Sequence, residues 1–335
     1  MAGRIKEAGK SAATAQAGSF VLAAESVGPA APRVGGIACI VLAVLCFGAL
    51  DTTTKFASAT APMLMALWFR YVVQTAVTGA VLGPRRGVRL LHTRRPLLQL
   101  VRGLLLLASS SIAFFSLRFM QVGEFTAIAM LTPLLLTVIA AATLGERVSL
   151  LRWLCVLLGF AGSLIVIRPG RELFQWATLL PLLLVATNTG FQALTSRMAE
   201  TEDPGTMHFY TGVVGLVVTT CGLPLVWQAL PGTLWLALGL MGALGTLGHF
   251  LLIMAYARAP VAVLTPYLYL QIAFAALGGW LVFAHVPDAW SLTGIALVAV
   301  GGVFGTWLTG REVLARRRLD SQQSSIAAIA GADAN

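Results

Sequence analysis

The chain has 335 residues, of which 58% are apolar and only 11% charged, and its mean hydropathy is +0.84. A soluble domain carries about 25% charged side chains, so the polar surface here is too small to coat a water-facing globule, and a soluble enzyme and a disordered chain are both excluded. The net charge of +10 reads as the topogenic charge of a membrane protein, not as a nucleic-acid footprint.

In chain order, residues 1–33 are small, polar and proline-flanked. The apolar patch Phe20–Ala24 is too short for the core of a signal peptide, so this stretch reads as a disordered cytoplasmic tail. Ten apolar runs follow, near 35–56, 62–82, 97–117, 126–145, 149–168, 175–196, 205–227, 234–257, 261–283 and 290–309. Each is close to the roughly 20 residues a helix needs to cross a bilayer. They are continuously apolar, whereas the strands of a membrane barrel alternate. Residues 313–335 read as a second disordered tail. Cys39, Cys46, Cys155 and Cys221 all fall inside apolar runs and read as buried hydrophobes, not disulfides or metal ligands.

Charge sets the orientation. With both termini cytoplasmic, the cytoplasmic segments hold 17 of the 23 Lys and Arg residues. The outer loops then hold Arg118, Arg168 and Arg171, and Lys55, Arg70 and Arg102 lie within spans. This split follows the positive-inside rule. Six of the eight Trp residues sit at run ends, where indole prefers the interface, while Trp68 and Trp280 are expected to face other helices or a cavity.

The chain divides near Gly170 into halves 34–170 and 171–312, each with five expected spans. An offset of 142 pairs Gly48 with Gly190, Pro62 with Pro204 and Met65 with Met207. An offset of 139 pairs Leu131 with Leu270 and Gly162 with Gly301. An odd number of spans per half makes the second half enter the membrane from the opposite side. Inverted repeats of this kind recur in secondary transporters, where two opposed halves rock about a site near the midplane. The expected fold is therefore all-α and integral to the membrane, with ten transmembrane helices in two inverted five-helix repeats.

Residues Arg118–Gly170 resemble the EamA-type repeat of the drug/metabolite transporter superfamily: a helix with a proline near its start ends in Gly-Glu-Arg and is followed by a glycine-rich helix. Asp51-x-x-x-Lys55, Phe69-Arg70, Ala255-Tyr256, Pro266, Tyr269-x-Gln271 and Pro287-Asp288 extend the likeness over residues 35–312. The combination is similar to a bacterial subgroup that includes S-adenosylmethionine, riboflavin and metallophore transporters. Two positions depart from the pattern: Ala284-His285 replaces the second Gly-acid pair, and Ile272 replaces the second-repeat proline. The resemblance implies a ten-helix inner-membrane transporter of a small organic metabolite, such as an amino-acid derivative or a member of those three classes.

Ionisable groups inside a span cost about 2.5–3.5 kcal/mol each on insertion scales and mark functional candidates. Asp51 and Lys55 are one turn apart and share a helix face. Arg70, on the next span, lies at a depth similar to that of Asp51, so the two either neutralise each other or line a cavity. Asp51 is also the candidate for coupling to a proton. Arg102, near the cytoplasmic end of its span, is expected to snorkel to the interface, and Glu124 to be solvated in an outer loop. In the second half, Asn188 and Gln192, His249 and Tyr256, and Tyr267, Tyr269 and Gln271 offer hydrogen bonds and ring faces that suit a flat or amphipathic metabolite. Gly239, Gly242, Gly245 and Gly248 make one smooth helix face for close packing, and Pro133 and Pro181 are candidates to break the helix ladder.

The competing classes lack signatures. Lys6, Lys10 and Lys55 are the only lysines and none sits in a phosphate-binding loop. No HExxH or GxSxG motif occurs, so neither a catalytic nor a metal site is expected, and no cofactor. A channel would show a continuous polar stripe, and only local clusters are present. The expected partners are a small-molecule substrate, membrane lipid and a coupling proton. An enzyme or a channel without a recognisable motif is the alternative.

Overall fold

A computed structural model describes residues 31–143, 150–167, 179–259, 261–308 and 311. The Glu146–Arg147 turn, the half-chain junction at Gly170 and the expected tail at 313–335 lie outside the described residues, as does the N-terminal tail up to residue 30. The helices, among the described residues, are α1 (Ala31–Ser58), α2 (Met63–Arg86), α3 (Pro96–Phe119), α4 (Val122–Ala129), α5 (Leu131–Thr143), α6 (Leu150–Ile167), α7 (Leu180–Met198), α8 (Pro204–Gly222), α9 (Gly232–Tyr256), α10 (Val261–Leu268), α11 (Leu270–Phe283) and α12 (Ala289–Leu308). No strand occurs among these residues, and the protein is an all-α membrane protein. Seven segments are long and apolar enough to cross a membrane, and Val122–Leu136 and Trp153–Ile167 are shorter apolar helices.

Local chemistry explains the helix starts. Proline opens α3 and α8 at positions where a missing N–H costs nothing. The Asp203 carboxylate caps α8 by accepting the Thr206 N–H at 2.9 Å. Hydroxyls inside the helices donate to the carbonyl four residues back, as Thr52, Thr54, Thr189 and Thr195 do. Each side chain thus hides its own polarity in an apolar bundle.

Two segments are broken at matching places. α4 gives way to α5 at Met130, and α10 to α11 at Tyr269, 139 residues further on. Pro133, in the first turn of α5, has no N–H for the Ala129 carbonyl, and Pro266 sits inside α10. Pro181 also falls at a helix start, on α7, and interrupts nothing.

The bundle has two distinct ends. At the basic end Arg86 pairs with Asp203. Nearby, Glu202 accepts the Thr93 hydroxyl and the Arg94 N–H, and Tyr210 donates to the Leu91 carbonyl. At the opposite end Lys55 reaches the loop after α3, and Trp68, Phe69, Trp227 and Trp235 cluster. Glu124, expected in solvent, instead accepts the Ser291 hydroxyl at 2.6 Å, tying α4 to α12. Trp280 is 55% exposed on the outside of the bundle and faces neither a cavity nor another helix core, so that expectation was wrong.

Elements of the two sequence halves interleave. α1 packs on α9 and α11, α2 on α8 and α9, α3 on α7 and α8, and α4 on α11. Close approach needs glycine at the crossings: a Cβ on Gly48 would lie 2.7 Å from Phe274, and one on Gly103 2.6 Å from Val214. The glycine face of α9 packs as expected, with Gly242 under Val73, Gly245 under Arg70 and Gly248 under Phe47; Gly239 meets nothing.

Candidate functional site

A cavity of about 120 Å³ lies within the bundle, lined by parts of α1, α2, α3, α4, α5, α7, α9, α10 and α11. Both helix breaks border it, through Ala129, Met130 and Pro133 on one side and Leu268 and Gln271 on the other. Six of the ten candidate residues line it: Asp51, Arg70, Asn188, Gln192, His249 and Gln271.

Asp51 and Arg70 do not form the ion pair allowed by their depths. Asp51 Oδ2 accepts the Thr126 hydroxyl and the Gln271 side-chain amide, each at 3.0 Å. Arg70 Nη1 donates to Ser110 Oγ at 2.6 Å, and its Nε is buried with no partner. The guanidinium is only 5% exposed. A carboxylate and a guanidinium therefore face one small space without direct contact. Holding opposite charges apart in a buried space forgoes the close contact by which a purely structural pair offsets its desolvation.

Around them, Asn188 Nδ2 lies 3.5 Å from the Thr132 hydroxyl, and Gln192 Oε1 accepts the Tyr256 hydroxyl at 2.9 Å. His249 Nδ1 donates to the Gly245 carbonyl at 2.9 Å, which fixes the ring between Phe47 and Phe191. The wall is apolar and aromatic with a few convergent polar groups, as small-molecule sites are.

Four candidates lie elsewhere. Lys55 Nζ donates to the Leu117 and Met120 carbonyls at 3.1 and 2.7 Å, at the opposite end of the bundle. Its long stem carries the ammonium away from the turn it shares with Asp51. Tyr256 stands behind Gln192 as its hydrogen-bond donor. Tyr267 packs at the edge of the core cluster. The Tyr269 ring lies over Gly302 of α12, and its hydroxyl is buried without a partner. The break at Tyr269 separates its direction from that of Gln271, so the two are not neighbours in one site. Tyr269→Phe is accordingly expected to leave ligand affinity unchanged and to hold or raise the melting temperature, measured by thermal shift on purified protein. A tenfold loss of affinity would return Tyr269 to the site.

Two elements were missed. The third and fourth segments contribute Ser109, Ser110 and Phe125 to the wall, and Thr126 as a donor to Asp51. The run Ser109-Ser110-Ser111 inside an otherwise apolar helix was the visible signal. Arg102 does not snorkel to the interface as expected: it is 0% exposed, held among α3, α7 and α8.

Residues 34–168 match the EamA-like transporter family. An S-adenosylmethionine uptake transporter of Rickettsia bellii is 26% identical over 270 residues, covering 80% of this chain and 92% of that protein. A riboflavin transporter of Brucella anthropi is 26% identical, covering 77% and 94%. A pseudopaline exporter of Pseudomonas aeruginosa is 27% identical, covering 79% and 93%. A solved crystal structure with 20% identity aligns at a TM-score of 0.62 over 83% of this chain and 99% of its own, which shows a shared fold.

Proposed function

We infer that this chain, which is similar to EamA-type transporters of the drug/metabolite superfamily, is a secondary transporter of a small organic metabolite that works by alternating access. The carrying observation is the cavity beside two helix breaks, which Asp51 and Arg70 both line without forming a direct ion pair. Broken helices at matching places in two halves are where such transporters hold their cargo. In this reading all ten helical segments cross the bacterial inner membrane as two inverted repeats. The basic end, with Arg85, Arg86, Arg89, Arg94, Arg95, Arg197 and Arg258, is cytoplasmic, as the positive-inside rule favours.

The substrate classes are those of the relatives: S-adenosylmethionine, riboflavin, a metallophore or another amino-acid derivative. Arg70 receives the anionic part of the cargo. Asp51, with Gln271 and Thr126, receives a donor or cationic part, and it is the group that takes up the coupling proton. The test begins with a thermal-shift screen of purified protein against a metabolite panel containing those classes, since a ligand that binds only the folded state raises its stability. The hit is then measured in proteoliposomes. Saturable uptake with counterflow is expected; flux without saturation or counterflow would identify a channel instead. Asp51→Asn is expected to remove the pH dependence of uptake, and a variant that retains it in full would refute proton coupling at Asp51.

A further inference from the structure

Eight of the ten buried polar side-chain atoms without a hydrogen-bond partner, among the described residues, lie on α2, α3 and α8. Arg102 is one of the residues that carry them. Its Nε donates to Thr195 at 2.8 Å, and its Nη1 to the Met207 carbonyl at 2.7 Å and Thr211 at 2.6 Å, while Nη2 has no partner. One turn earlier on α3, Gln99 is fully buried with both ends of its amide unpartnered. Gln74 donates to the His208 carbonyl at 3.0 Å, but its own oxygen is unmet, as is His208 Nε2. No carboxylate pairs with Arg102 among the described residues.

This arrangement is a poor way to fill a core. Each unsatisfied buried group keeps its desolvation cost unrepaid, and a buried cation without a counter-charge keeps a larger one. Apolar side chains of the same volume would pack there more stably. The groups are therefore suited to a partner that this conformation lacks.

The position identifies that partner. The Phe191 ring stands between Arg102 and the cavity. That ring is 1% exposed, lines the cavity on one side and lies 5.1 Å from the Arg102 guanidinium on the other. Gln74, on α2, is one turn beyond Arg70, so polar groups run from the cavity towards the basic end.

We propose that Arg102 is a second docking point for the transported molecule, binding its anionic group, a carboxylate or another oxyanion, on the basic-end side of the Phe191 ring. The proposal rests on the transport reading above. In the present conformation the Thr195 and Thr211 hydroxyls and the Met207 carbonyl stand in as neutral acceptors, and they hold α3 against α7 and α8. When the basic end opens, those bonds part. The guanidinium then meets an oxyanion through two parallel N–H donors, the geometry in which arginine binds such groups best. The cargo's negative group thus passes from Arg70 to Arg102 as Phe191 swings aside.

The test uses the full chain with its four cysteines replaced and Gln99→Cys added, purified in detergent. The probes are two thiol reagents of similar size, the anionic sulfonatoethyl and the cationic trimethylammonioethyl methanethiosulfonates. Each rate is normalised to that with free 2-mercaptoethanol. Because Gln99 is fully buried, labelling reports opening of the basic end. The anionic reagent is expected to react ~10-fold faster or more, as an unscreened positive charge a few ångströms away requires. Arg102→Gln should cut the ratio several-fold, to what the arginines of the basic end alone impose, and Arg102→Lys should preserve it. Labelling at equal rates, or a preference that Arg102→Gln leaves undiminished, overturns the proposal and leaves alternating access standing. No labelling at all overturns both.

Discussion

Arg70→Gln is expected to abolish transport, with a loss of at least ~100-fold in ligand affinity, while the protein still purifies as a folded monodisperse species. Removing one partner of a desolvated, charge-assisted contact costs about 2–5 kcal/mol, and roughly 2.7 kcal/mol corresponds to 100-fold. The folded state loses little by comparison. The Arg70 guanidinium has the Ser110 hydroxyl as its hydrogen-bond acceptor and the Tyr71 ring beside it, no carboxylate among the described residues touches it, and its Nε has no partner. Removing the charge therefore relieves a desolvation cost, and the melting temperature without ligand should hold or rise. A structural role predicts the reverse pattern, with a fall in melting temperature and intact binding. Thermal shift with and without ligand separates the two. Gly245→Ala provides a second reading of the same contact, because the added Cβ would lie 2.8 Å from Arg70 Nε. It should weaken binding while leaving every charge in place.

The second large effect is on stability. A methyl group at Gly302 would fall inside the Tyr269 ring. That ring is buried at the junction of α10 and α11, so it has no open side to move into. Overpacking of this kind costs about 1–3 kcal/mol or more, and Gly302→Ala should lower the melting temperature in detergent by several degrees. In a Tyr269→Ala background, which is itself destabilised by the cavity it leaves, Gly302→Ala should cost no further stability, because its methyl then meets no ring. A further fall in that background would show that Gly302 is required for some other reason.

These outcomes depend on features that the sequence revealed unevenly. Helix positions were legible, because a lipid-facing helix must be apolar along its whole length and its ends fall where charge, Pro and Gly return. The expected run 97–117 became Pro96–Phe119, and 234–257 became Gly232–Tyr256. The charged residues of the cavity were legible for the same reason: Asp51 and Arg70 stand out against an apolar background. Direction within a segment was not. Arg102 and Lys55 show this in opposite senses. Arg102, placed by depth near the interface, turned inward to Thr195 and Met207, and Lys55, placed with Asp51 by helical spacing, reached the end of the bundle. Long flexible stems let the head group settle wherever acceptors lie, and those acceptors belong to helices far away in sequence. Tyr269 and Gln271 were misjudged as a pair because their spacing was counted along a continuous helix, and the helix stops between them. The break after α4 had a proline to announce it; the one after α10 has Ile272 at the matching place, and only Pro266 upstream hinted at it.

The interleaving of the two sequence halves bears on how the molecule is made. α1 leaves the ribosome first, yet the helices it packs against, α9 and α11, are synthesised some 200 residues later. Until then Asp51 has no Gln271 to bind, and the surfaces around Gly48 and Phe47 face lipid or whatever factor shields them. At synthesis rates of about 5–20 residues per second, this waiting period lasts on the order of ten seconds or more. Assembly is therefore a late event that follows insertion of nearly the entire chain, and a nascent chain stalled before α9 would expose its costliest residues to the quality-control proteases of the membrane.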